Sequence, residues 1–267
     1  MKVRQKLRWA KKLASAGRNR DGALWFLFTS MGQQVRLRVK PFGHEIVMRT
    51  DTPDVRVALS CFQGEFDELL QAVPKLLHPL IVDAGGYIGT AAIVLAEAYP
   101  DATIVSLEPS KENFALLKQN VAAYKNIVPI NKALAPELGK RTLKDRGTGQ
   151  WGFTIVSEPK DNAASTAREE VECVTLDQLM QQFAVNGVGI LKLDIEGGEH
   201  ALLSSSTDWI SRTGAICIEL HDRIVPGCSG LYRQATEGRQ NLKMAGEKYL
   251  SIVSSKPHLR QGSPEPV

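Results

Sequence analysis

The sequence predicts an α/β fold, a largely parallel sheet with helices on both faces, and three observations predict it. From Leu80 onward, short apolar runs of strand length alternate with segments of helical periodicity. Those runs are apolar throughout rather than every second residue, as strands buried on both faces require. A glycine turn, D-A-G-G-Y-I-G over residues 83–89, joins the first run to the first helix. That is the layout of a nucleotide-type cofactor site.

The elements follow in order. Residues 1–30 read as a basic arm: the first 20 hold eight Lys or Arg and no acid. In residues 34–58, Val35, Leu37 and Val39, then Ile46 and Met48, alternate with polar residues, and Pro41 and Gly43 break the run, which predicts a hairpin. Residues 66–77 read as a short helix stopped near Pro74, so residues 31–78 form a small β/α cap. The run L-I-V-D from Leu80 is a strand, and a helix from Gly89 to Ala98 ends at Tyr99-Pro100-Asp101. A second strand, A-T-I-V-S-L-E-P, closes at Pro109. Ser110 is suited to cap the next helix, with Phe114, Leu117, Val121 and Tyr124 as its apolar face. N-I-V-P-I-N is a third strand, and residues 140–160 read as a hairpin-like insert. Thr175 caps L-D-Q-L-M-Q-Q-F; V-G-I-L-K-L-D is a strand before a helix from Glu199; G-A-I-C-I-E-L-H and K-Y-L-S-I-V-S are the last strands expected, and 256–267 is a tail.

Charge and cysteine usage limit the function classes. The net charge of +4 comes from the arm; residues 21–267 carry 25 basic against 29 acidic side chains. The arm can touch anionic lipid or nucleic acid, although a solvated tail is the plainer reading. Cys61, Cys173, Cys217 and Cys228 show no C-x-x-C spacing, against a structural zinc or a disulfide framework, and a reducing cytoplasm is the expected home. No apolar run reaches transmembrane length, and residues 23–28 are too short for the core of a secretory signal.

Ligands of such sheets bind at the carboxyl ends of the strands. Asp83, Glu108, Asp194, Glu219 and His221 are therefore the candidates. The glycines Gly85, Gly86 and Gly89 depart from G-x-G-x-x-G spacing, and Asp83 at the mouth of the turn would repel a pyrophosphate. A carboxylate there suits a ligand with an ammonium and a sulfonium and no phosphate, as S-adenosylmethionine is. Glu108 lies 23 residues after Gly85, where an acid accepts from ribose hydroxyls.

The segments L-I-V-D-A-G-G-Y-I-G, V-S-L-E-P-S-K-E-N-F, V-T-L-D-Q-L, L-K-L-D-I-E-G-G-E-H and I-C-I-E-L-H-D, in this order, resemble the FkbM-type S-adenosylmethionine-dependent methyltransferases over about residues 35–222. The resemblance implies the class I methyltransferase (Rossmann-like) fold, a seven-stranded sheet with its last strand antiparallel, over residues 79–255. It implies S-adenosylmethionine as cofactor and a hydroxyl on a sugar, glycan or natural product as acceptor. By position, Asp83, Gly85, Gly86 and Gly89 would lie along the methionine part, Glu108 on the ribose, and Ala133 and Leu134 near the adenine. The family often has Asn where this chain has Tyr87, which replaces an amide by an aromatic ring that can still line the cofactor.

Methyl transfer to an alcohol needs a base near the acceptor. His221 is the leading candidate, since imidazole titrates near neutrality. Asp194 and Glu196 leave a strand at the cofactor end; they could bind the acceptor, act as base, or hold a divalent metal with Glu219, and no metal set is assigned. Lys192, in an otherwise apolar strand, either pairs with one of these acids or reaches the surface at the sheet end. In the insert, Trp151 and Phe153 among glycines read either as a loop over the acceptor or as hairpin core. A nucleic-acid methyltransferase, a nicotinamide oxidoreductase and a non-catalytic protein on the same fold are the competing readings.

Overall fold

The computed structural model describes residues 29–31, 34–39, 42–49, 52–160 and 165–254. The basic arm of residues 1–20 and the tail from residue 256 lie outside them.

Strands β1 (Thr29–Met31), β2 (Gln34–Val39) and β3 (Ile46–Arg49) form an antiparallel sheet in chain order. The expected hairpin is present but ends at Arg49. Helix α1 (Asp54–Phe62) follows, because Val55, Ala58, Leu59 and Phe62 recur at helical spacing on its buried face and Pro53 suits its first turn. Helix α2 (Asp67–Ala72) completes the segment before the first strand of the main sheet.

That sheet is built in the order expected: β4 (Leu80–Ala84), α3 (Thr90–Ala98), β5 (Thr103–Leu107), α4 (Lys111–Asn120) and β6 (Ile127–Ile130). The insert is larger than a hairpin. β7 (Ala133–Leu134), β8 (Gly139–Asp145), β9 (Phe153–Thr154) and β10 (Thr166–Val174) form a separate sheet in the order β7-β10-β8-β9. The chain returns through α5 (Leu176–Gln182), β11 (Val188–Leu193), α6 (Gly198–Ser204), α7 (Asp208–Ser211), β12 (Thr213–Glu219), α8 (Cys228–Ala235), β13 (Gln240–Lys243) and β14 (Lys248–Ile252). β13 is exposed along its length, which is why no apolar run announces it.

The main sheet has seven strands in the order β13-β14-β12-β11-β4-β5-β6. Only β14 runs antiparallel to its neighbours. This is the class I methyltransferase arrangement that the resemblance implies. Its strand order reverses between β4 and β11, and a crevice opens there at the carboxyl ends. One apolar cluster packs Ile81, Ile104 and Ile190 against α1 and α3; the other packs Val82, Val105 and Leu191 against α5 and α7.

Both helix caps hold: Ser110 accepts from the Asn113 N–H (3.4 Å) and Thr175 from the Gln178 N–H (3.1 Å). The apolar face of α4 needs correction. Phe114 and Tyr124 are half-buried, while Asn113, Leu116, Leu117 and Asn120 point inward. Asn120 explains the rotation, since its amide donates to the carbonyls of Val47 and Ile88 and its oxygen accepts from the Val47 N–H. No helix among the described residues is long and apolar enough to cross a membrane.

Candidate active site

A cavity of about 610 Å³ opens at the switch between β4 and β11, a volume in the range of small-molecule sites. Gly85, Gly86, Tyr87, Glu108, Ala133, Leu134, Asp194, Glu196 and Glu219 line it. Asp83, Gly89 and His221 do not, and each has a different place.

Asp83 is fully buried beneath the cavity. The parallel register sets it beside Ser106 on β5 and Lys192 on β11. Ser106 Oγ donates to Asp83 (2.7 Å), and Lys192 Nζ lies 3.1 Å from its other oxygen. The expected contact with a ligand ammonium is thus replaced by an internal ion pair, and Lys192 reaches the cavity wall instead. Burial works to lower the Lys192 pKa, but Asp83 and Asp194 outweigh it and hold the ammonium charged. Its Nζ also donates to the Gly85 carbonyl (2.8 Å), which fixes the turn.

The glycines are set by packing as much as by a ligand. A Cβ on Gly85, at φ +83°, would lie 1.8 Å from the Asp194 carbonyl oxygen. Gly89 caps α3 at φ +90°, where a Cβ would press on Val121 at 2.9 Å, so it serves the helix rather than the cavity. Tyr87 carries φ +50°, uncommon for a residue with a side chain. Its N–H donates to Glu108 Oε2 (2.9 Å), and its hydroxyl donates to Asp54 of α1 (2.5 Å).

Glu108 is 5% exposed, and its second oxygen accepts from the Ser110 N–H (2.9 Å). Burial pushes its pKa up to about 7, opposed by the N–H groups of Ser110 and Tyr87. Each oxygen keeps a lone pair beyond those bonds, so the carboxylate can accept from a diol in the cavity.

On the opposite side the loop after β11 and the end of β12 bring acids and cations together. Asp194 faces Lys192 (3.9 Å), Glu219 faces Lys248 (3.5 Å), and Lys248 also pairs with Glu65 beyond α1. Glu196 pairs with the buried Arg146 of the insert. Burial raises the Glu196 pKa to about 7; His221 and Arg146 oppose the shift and Asp194 reinforces it. Burial also raises Glu219, whereas Lys192 and His221 hold Asp194 below the usual carboxylate range despite its burial.

His221 stands behind these acids, fully buried. Its Nδ1 is 3.1 Å from Glu199 Oε1, and Nε2 is 3.8 Å from Asp194, Glu196 and Glu219. Burial works to lower its pKa, but Glu199 and the facing carboxylates raise it to about 9. The ring lies off the cavity wall with Nδ1 engaged by Glu199, so no imidazole nitrogen faces the space an acceptor would occupy. The leading base expected from the sequence therefore stands behind the cavity wall rather than on it.

Several wall residues carried no local signal: Arg146, Lys248, Glu65 and Cys61 come from the insert, the last strand and the segment around α1. Trp151 is 37% exposed at the cavity and its Nε1–H donates to Thr148 O (2.7 Å), with the Arg56 guanidinium 5.0 Å from its ring. Phe153 belongs to the apolar core of the insert and also lines the cavity, so it carries features of both readings.

Residues 83–248 match the family described as the methyltransferase FkbM domain. The chain belongs to that family. Among curated proteins it is similar to methyltransferase sdnD of Sordaria araneosa, 25% identical over 154 residues. That alignment spans 47% of this chain and 60% of the relative. Similar solved structures include a SAM-dependent methyltransferase from Agrobacterium tumefaciens, with TM-score 0.45, 14% identity, and 87% of this chain and 73% of that one covered. Another is an O-methyltransferase from Bacillus cereus in complex with SAH, with TM-score 0.40, 16% identity, and coverage of 72% and 80%. S-adenosylmethionine is the cofactor that goes with the FkbM family. The cleft fits it in having a buried carboxylate with free lone pairs at Glu108 and an apolar wall at Ala133 and Leu134.

Proposed function

We propose that this FkbM-family chain transfers a methyl group from S-adenosylmethionine to a hydroxyl of a sugar, glycan or small natural product. The observation that carries the reading is one cavity with Glu108 on one side and Asp194, Glu196 and Glu219 on the other. S-adenosylmethionine supplies a methyl group already activated on a sulfonium. The chain's own task is to position the acceptor and take its proton.

In this reading Glu108 holds the ribose hydroxyls, and Ala133 and Leu134 flank the adenine. Gly85, Gly86 and Tyr87 border the methionine part with Asp194. Glu196 receives the acceptor proton as the oxygen–methyl bond forms and the sulfur–methyl bond breaks. Trp151 offers a face to a sugar ring. Residues 31–78 act as a cap on a catalytic domain of residues 79–255. Four buried free thiols suit a reducing cytoplasm as the site of action.

Calorimetry with S-adenosylmethionine, then labelled methyl transfer into a cell extract with the product identified by mass, tests the reading. Binding of NAD in its place, or no transfer to any acceptor, would overturn it. Glu108→Gln is expected to weaken cofactor binding roughly 10–100-fold, as loss of hydrogen bonds to a charged group does. The pH dependence follows from the raised pKa of about 7. The ionised carboxylate is the better acceptor, so wild-type affinity rises between about pH 6 and pH 8, and the rise disappears in Glu108→Gln. Equal affinity in the two proteins would remove Glu108 from the ribose.

A further inference from the structure

We propose that Asp194, Glu219 and His221 Nε2 form a binding site for one divalent first-row transition cation in the cavity wall. The three donor atoms lie within 4.8 Å of one another. Nε2 stands 3.8 Å from Asp194 Oδ1 and 3.8 Å from Glu219 Oε1. That is too long for a hydrogen bond. Donors held at about 2.0–2.2 Å from one ion lie about 3 Å apart when adjacent and about 4.2 Å apart when opposite. The two 3.8 Å separations fall between those values.

His221 supplies the second observation. It is fully buried, and its Nε2 has no hydrogen-bond partner. A buried polar atom left so is costly unless something satisfies it. The other ring nitrogen is committed. Glu199 accepts from the Ile195 N–H (2.7 Å) and the Gly197 N–H (2.9 Å), so its carboxylate is an acceptor and the imidazole hydrogen lies on Nδ1. With Nδ1–H held by Glu199, Nε2 faces Asp194 and Glu219, where a bound cation would take the place of its proton, in the carboxylate–imidazole relay that orients metal-ligating histidines.

The acids are prepared in the same way. Each presents one oxygen to Nε2 and has the other near a lysine, Lys192 for Asp194 and Lys248 for Glu219. The strand ends of β11 and β12 are neighbours in the sheet, which fixes the separation of the two carboxylates. Two carboxylates with one imidazole suit Mn²⁺ or its heavier neighbours better than Mg²⁺ or Ca²⁺, which take oxygen ligands. Asp194 and Glu219 line the cavity, so the positions left open on the ion face the acceptor. The inference extends the methyl-transfer reading: the cation would hold the acceptor oxygen and ease loss of its proton to Glu196.

The test is Mn²⁺ titration of the chelator-stripped full chain without S-adenosylmethionine, followed by electron paramagnetic resonance. The expected result is one saturable Mn²⁺ per chain with hyperfine coupling to an imidazole nitrogen. Glu219→Gln and His221→Ala should each lose at least 100-fold in affinity, and Glu199→Gln roughly 10–100-fold, as loss of an orienting partner does. Glu219 is part-exposed, so its variant reports even where His221→Ala does not fold. No saturable Mn²⁺ site, no nitrogen coupling, or unchanged affinity in Glu219→Gln would overturn the proposal. Cofactor binding measured separately in chelator distinguishes the two readings: Mn²⁺ without S-adenosylmethionine binding sinks only the methyl-transfer reading, and the converse sinks only the metal site.

Discussion

Glu196→Gln is expected to lower kcat roughly 10²–10⁴-fold, the contribution of a positioned general base, with the Kd for S-adenosylmethionine within about twofold of wild type. The backbone supports the assignment. Glu196 sits at φ +52°, and Gly197 follows at φ +96°. Left-handed backbone at a residue with a side chain carries a cost, and such strain persists where the surrounding structure fixes it, often at functional sites. Here Thr154 Oγ1 donates to the Glu196 carbonyl (2.6 Å) and the Arg146 guanidinium pairs with the carboxylate. The side chain is thereby held at the cavity wall with Arg223 beside it. Glutamine keeps the shape and an acceptor for Arg146 but cannot take a proton. Single-turnover methyl transfer separates the chemical step from binding and release. A loss in cofactor affinity matching the loss in rate would mean a positioning role; an unchanged rate would move the base to another group.

The alternation of apolar strands and helices was legible because buried parallel strands must be apolar throughout, and both N-caps followed from one hydroxyl each. The place of Glu108 on the cavity wall was legible because it depends on a local distance along the chain, from turn to second strand end. Asp83 was misplaced for the opposite reason. Its neighbours Ser106 and Lys192 are 23 and 109 residues away and meet it only through sheet register. A strand pattern gives the face a residue occupies but not the residue beside it. The surroundings of His221 were hidden in the same way: Glu199 read as the start of a helix, and nothing local ties it to an imidazole 22 residues on. Arg146, in a glycine-rich insert, gave no sign that it is among the most buried side chains of the protein.

Arg49→Met is expected to destabilise the protein by about 3–5 kcal/mol, the cost of leaving a buried charge without its partner. The Arg49 guanidinium donates twice to Asp54 (2.9 and 3.0 Å), and to Asn113 (2.9 Å) and Glu112 (2.8 Å) at the start of α4. It thus joins β3, α1 and α4 through one side chain that is 7% exposed. Asp54 is fully buried and accepts as well from the Arg49 N–H and the Tyr87 hydroxyl. Methionine fills much of the volume, so the loss comes from the charge rather than from a cavity. Adding Asp54→Asn to Arg49→Met should restore more than half of the stability, because the amide is neutral and still accepts from Tyr87. Chemical denaturation of the two variants measures both terms. Recovery separates the buried-charge argument from simple loss of packing, since lost packing would not return when the aspartate is neutralised. The same pair tests whether the cap reaches the cofactor side. Tyr87 links Asp54 to Glu108 through its hydroxyl and its N–H, so Arg49→Met should weaken S-adenosylmethionine binding even under conditions where the variant is fully folded.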